Sequence, residues 1–248
     1  MIKSYFFKLI HSPIFYLTPL AVLAVSLYSM FYGVHTLVDI LSEIDYLISF
    51  EFFRKMFVLL AALPFASNFA NEWNSKTITN CVTRKNVVNY ALDNAIVCFI
   101  SAFASVFMGI MLSVLIRMPF RPLFSGSDPL PPYGVLNVNG FPLLTAVLIV
   151  FIYALSCAMW AVMSLAVTAF FPSKYIAVCA PFVLSYIVER FTKFVPGEFQ
   201  LGPLSQSWSG WNPLPAFLKS VIVFLMISSV CTAIFAVRVK VRVENELS

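Results

Sequence analysis

Charged side chains are scarce in this chain, so where they fall is informative. Two adjacent pairs stand out, Arg54 with Lys55 and Glu189 with Arg190. Each pair closes one end of a charge-free run, Met56 to Asn71 (16 residues) and Tyr175 to Val188 (14 residues). Each run carries a proline well inside it, Pro64 and Pro181. As helices these runs reach only about 24 and 21 Å at 1.5 Å per residue, short of the roughly 30 Å hydrocarbon core of a bilayer. Proline frees a backbone carbonyl and kinks a helix. Short, proline-interrupted segments in matching positions of two halves are a sequence mark of a transport route. The chemistry on offer is recognition and gating, with Arg54, Lys55, Glu189 and Arg190 ringing one mouth of a route and Pro64 and Pro181 as its joints. The competing reading is that long basic chains snorkel to lipid headgroups.

Motifs for bond-making chemistry do not occur. There is no GxxxxGK[ST] phosphate loop, no HExxH and no Ser/His/Asp constellation. The five cysteines, Cys81, Cys98, Cys157, Cys179 and Cys231, include no CxxC pair, and His11 and His35 lie far apart. The sequence therefore predicts no metal site, no disulfide framework and no enzyme in this chain.

The elements that must position these residues follow from composition. The 248 residues are 60% hydrophobic and 11% charged, with a mean hydropathy of +0.90. Soluble domains are about 45–50% apolar and about 25% charged, so both a soluble fold and a disordered chain are excluded. The net charge of +5 is small and scattered, and points to no nucleic acid. The pattern predicts an all-α polytopic membrane protein with six spans, at about 14–34, 52–71, 94–116, 142–171, 175–192 and 218–238. The N-terminus, residues 72–93, 172–174 and 239–248, with Arg238 at the span end, hold nine Lys/Arg against four acids. The other side balances seven against seven, and its first loop carries Asp39, Glu43 and Asp45 ahead of any base. The positive-inside rule then places both termini in the cytoplasm.

Three local patterns refine this picture. Ile2, Tyr5, Phe6, Leu9 and Ile10 share one helical face, with Lys3 and Lys8 opposite and Pro13 as a stop. Residues 1–12 thus read as an amphipathic helix lying in the membrane interface. In the loop from 71 to 93, Asn74 or Ser75 can cap a helix start, Ile78, Cys81 and Val82 make an apolar patch, and Arg84 and Lys85 suit a helix end. A short helix over about 75–84 follows, of a kind that docks into a partner's groove. In the third span Ser101, Ser105, Gly109 and Ser113 recur every four residues. Such a stripe lets helices approach closely in lipid, within the chain or at a seam between copies. Ala154, Ala158 and Ala161 make a shorter version in the fourth span. Residues 117–141 and 193–217, rich in Pro and Gly, read as outside loops.

A span leading into Glu72, then polar residues, the Thr77–Ile78 pair and Arg84, resembles the ABC-2 type permease family, the membrane subunits of ATP-driven exporters. The N-terminal helix ending at Ser12–Pro13 and the six-span pattern are similar too. The chain departs from the family's habit of a Gly before the Thr, where it has Lys76, and of a Lys entering the third span, where it has Asp93. The resemblance implies that residues 75–84 form a coupling helix, with Glu72, Ser75, Lys76, Thr77, Ile78, Cys81, Val82, Arg84 and Lys85 as the ATPase-contacting set. It implies two copies of a cytosolic ATP-binding-cassette ATPase holding ATP and Mg, none of it bound by this chain, and a second permease, identical or sister. It implies a bacterial cytoplasmic membrane, with spans 2 and 5 lining the route. The cargo expected is hydrophobic or amphipathic, most simply a peptide, with drugs or lipid-linked molecules as the alternative. A channel or a non-transporting scaffold is the other reading; the span midsections lack the charged ion relay that a channel wants.

Overall fold

The computed structural model describes residues 2–29, 39–78, 86–126, 133, 136, 137, 139–194, 196, 199–205 and 212–247. Among these residues all regular structure is helical. The helices are α1 (Ile2–Ile10), α2 (Pro13–Tyr28), α3 (Ile40–Ser49), α4 (Glu51–Ala62), α5 (Asn68–Asn74), α6 (Val87–Arg117), α7 (Pro142–Thr168), α8 (Lys174–Thr192), α9 (Leu201–Ser205) and α10 (Pro213–Leu247). Four of them, α6, α7, α8 and α10, are long and apolar enough to cross a membrane, and the bent pair α1–α2 is a fifth candidate. The chain is an α-helical, multi-pass membrane protein.

α7 is the central post. It packs against α6, α10, α8 and α4, while α2 lies along α6. Ala154, Ala158 and Ala161 are fully or almost fully buried and let its neighbours close in. α1 meets α2 at 60°. The bend falls where Ser12 is extended (φ −81°, ψ 123°) and Pro13 opens the next helix, the position proline favours. α1 turns Tyr5 and Leu9 into the protein and leaves Phe7 and Ile10 exposed.

The first two predicted spans differ from expectation. α2 covers 16 residues, and residues 30–38 lie outside those described. The second span is not one helix. α4 ends at Ala62, a turn covers residues 63–67 around Pro64, and α5 begins at Asn68. Pro64 supplies no N–H for the helical ladder, and the chain turns there instead of continuing. Pro181, by contrast, sits inside an unbroken α8.

The predicted loop after span 1 contains a helix. Asp39 accepts the Ser42 N–H at 2.9 Å and caps α3, whose Ile40, Leu41, Ile44, Leu47 and Ile48 are buried. The Ile40 and Leu41 N–H groups donate to the Pro122 and Leu123 carbonyls (3.1 and 3.2 Å), and Asp39 also accepts the Ser125 N–H and hydroxyl. α3 thereby ties residues 122–125 to the end of the bundle away from α1.

Candidate functional site

Polar side chains gather at the two ends of the bundle. At the end away from α1, the first turns of α4 meet the last turns of α8. Arg54 Nη2 lies 3.0 Å and Lys55 Nζ 2.6 Å from the same carboxylate oxygen, Glu189 Oε2. Lys55 is wholly buried, and its Nζ sits 4.9 Å from the centre of the Tyr186 ring. A buried ammonium is tolerable only when paired in this way. Three of the four predicted route charges therefore come together. Arg190, one residue on and about 100° around the helix, is exposed and lines the cavity beside the cluster rather than joining the ion pair. A cavity of about 560 Å³ opens beside the cluster, between α4 and α8. Tyr153 of α7 donates its hydroxyl to the Arg54 carbonyl at 2.8 Å, fixing α4 to the central post.

A second ionic cluster at the same end was not foreseen. Glu43 of α3 is buried and takes Arg117 at 3.0 Å on Oε2 and Arg121 on Oε1. Arg117, the last residue of α6, also donates to the Ser26 carbonyl of α2. The signal was the N-cap pattern Asp39-x-x-Ser42-Glu43 followed by apolar residues at helical spacing, hidden because three acids in a row of loop length read as solvated.

At the α1 end Glu72 is the hub. Its Oε2 accepts the Tyr90 hydroxyl at 2.7 Å and the Tyr5 hydroxyl at 3.2 Å; its Oε1 accepts Asn68 Nδ2 at 3.1 Å and lies 3.5 Å from Lys8 Nζ. Lys8 also donates to Asn68 Oδ1 at 2.6 Å, and Asn68 Nδ2 reaches Asn94 Oδ1 at 2.8 Å. Glu72 is 7% exposed. Its carboxylate is occupied by side chains of α1, α5 and α6, so it positions the loop that follows by holding those three helices together.

That loop begins differently from the expected helix start. Ser75 is the C-cap of α5. Its hydroxyl donates to the Asn71 and Glu72 carbonyls, and the Thr77 hydroxyl donates to the Glu72 carbonyl. The Thr77 N–H bonds the Glu72 carbonyl (3.1 Å) and the Lys76 N–H bonds Trp73 (3.0 Å), the paired closure of a Schellman motif. Lys76 takes the left-handed position, φ +55°, which normally calls for glycine. Ser75, Lys76 and Thr77 are exposed, and Ile78 is buried. Cys81, Val82, Arg84 and Lys85 lie outside the described residues. α10 braces this end. Phe235 packs edge-on against Phe69 at 5.2 Å, and the Arg242 guanidinium stands 5.1 Å over Trp73.

The small-residue stripe is buried inside the chain. Ser101, Ser105 and Ser113 are at most 1% exposed. A Cβ on Gly109 would come 2.5 Å from Val22 Cγ1 and 2.8 Å from the Pro19 carbonyl oxygen. Ser26 of α2 donates to the Ser113 hydroxyl at 2.8 Å. The seam is thus α6 on α2.

Against known proteins, no family model matches the chain, and no curated protein or solved structure matches it.

Proposed function

We propose that this chain is the permease subunit of an ATP-driven exporter of the ABC-2 type, working as a pair of permeases with two cytosolic ATPases. Its cargo is a hydrophobic or amphipathic molecule, most simply a peptide, moved out across the cytoplasmic membrane. The observation that carries this reading is the state of α8. It is the least apolar of the four long helices and also the least covered, with 17% of its most apolar stretch buried against 78% for α7. α8 thus departs from what lipid alone would favour, whereas α10, the most apolar of the four, is also little covered, with 28% buried. Tyr175, Val183, Tyr186 and Phe191 all face outward from α8. A face of that kind suits a second permease and a route between the two copies. α4, joined to α8 through Glu189, and the turn at Pro64 support the same pairing of spans 2 and 5. The six-span arrangement follows if α2 belongs to the first span, with α1 lying in the interface, and the broken α4–α5 forms the second.

On this reading the ATPase meets the exposed start of the loop, Ser75–Thr77, which the Schellman turn fixes. Pushing that loop moves α5, and through Glu72 it moves α1 and α6, a gated two-state motion. The test is uptake of a fluorescent amphipathic peptide into inside-out vesicles carrying this chain and its ATPase. Accumulation that needs ATP is expected. Flux of small ions without ATP would point instead to a channel.

A further inference from the structure

The cavity between α4 and α8 has a charge imbalance that the exporter reading does not use. Its walls include Glu51 and Arg54 at the start of α4 and Tyr186, Glu189, Arg190 and Lys193 at the end of α8, around about 560 Å³. Lys55 stands behind Glu189 at 2.6 Å and against the Tyr186 ring. Among the described residues three cations, Arg54, Arg190 and Lys193, line the cavity with Lys55 behind them, against two carboxylates, Glu51 and Glu189. The deficit is deepest where water is scarcest. Lys55 is 0% and Arg54 11% exposed, yet both draw on one oxygen of one carboxylate, Glu189 Oε2. Desolvated cations in excess are costly until a counter-charge arrives. Glu43, on the other side of the same end, meets two arginines with both of its oxygens.

The geometry points to an anion site in this cavity that takes a phosphate-bearing group, either free phosphate or the headgroup of an anionic phospholipid. Arg54 supplies a planar fork suited to phosphate oxygens. Arg190 and Lys193 are exposed and reach the anion from the solvent side. The surplus of positive charge calls for an anion, and the volume of about 560 Å³ has room for a phosphate or a phosphodiester headgroup. The site stands independently of the exporter reading, because it needs only this chain.

The test uses the full chain in nanodiscs. In phosphatidylcholine, sodium phosphate is titrated at constant ionic strength and the melting temperature is followed. In a second arm phosphatidylglycerol replaces part of the phosphatidylcholine, without phosphate. A saturable rise in melting temperature is expected; a rise with phosphate assigns a soluble anion, and a rise with phosphatidylglycerol alone assigns the headgroup. Arg190→Gln with Lys193→Gln should weaken the response about tenfold while leaving the unliganded melting temperature in place, since both side chains are exposed. Glu51→Gln, which removes one of the two acids, should tighten it and serves should the double variant fail to fold. No saturable rise in either arm, or a response that these substitutions leave unchanged, overturns the proposal.

Discussion

Lys55 lies at zero exposure between the Glu189 carboxylate and the Tyr186 ring, and Glu189 is the carboxylate in contact with it. Glu189→Gln keeps the shape and removes the counter-charge. The expected loss is about 3–5 kcal/mol, read as a lower melting temperature in detergent, and Lys55→Met in the same chain should recover most of it. Equal melting of Glu189→Gln and wild type would contradict the pairing. Lys76 makes a milder case. Its left-handed backbone, φ +55°, closes α5 without glycine, so Lys76→Gly should stabilise the chain by about 1 kcal/mol, and a fall in melting temperature would contradict the capping account. At this scale the sequence showed some things and hid others. The pairs Arg54–Lys55 and Glu189–Arg190 stood out because charge is rare beside apolar runs. Which three of the four meet depends on the rotation of α8, which spacing alone does not set. Glu72 stood out at the end of an apolar run, but Tyr5, Lys8 and Tyr90 lie 67, 64 and 18 residues from it, and only the packed fold brings them to it.

Helix α6 shows what a residue stripe does for an element. Gly109 is the point where α2 crosses closest, with Val22 and the Pro19 carbonyl inside the space a Cβ would need. Gly109→Ala must push α2 away or distort it, at an expected cost of about 1–3 kcal/mol. Val22→Ala should relieve part of that loss, because its Cγ1 is the nearest atom. A Gly109→Ala chain with wild-type yield and melting temperature would remove the contact from the account. The stripe was legible because packing in lipid selects small residues at helical spacing. The broken second span was half legible. Pro64 marked the place, but a kink and a full turn over 63–67 differ only in how the neighbours accept the freed backbone. α3 was lost among the acids of its own first turns. The expected helix start at Ser75 was misread for a related reason: serine and asparagine serve both ends of a helix, and here the hydroxyl donates to carbonyls that α5 leaves open.

Over the whole molecule, two polar ends are separated by a bundle whose middle is apolar. One end joins α1, α5, α6 and α10 through Glu72, Phe235 and Arg242; the other joins α4 to α8 through the part-buried Glu189 and α3 to α6 through the buried Glu43. Residues 75–77 follow directly on α5, which Glu72 ties to α1 and α6, and α4 packs between α6 and α8. α8 is left largely uncovered, with Tyr175, Val183, Tyr186 and Phe191 exposed. The most direct test is purification of the chain with a cytosolic ATP-binding-cassette ATPase, wild type against Arg84→Ala. The account predicts a complex of two permeases and two ATPases, lost or uncoupled from ATP hydrolysis in Arg84→Ala. A chain that purifies alone, with no ATPase bound in either form, would contradict it.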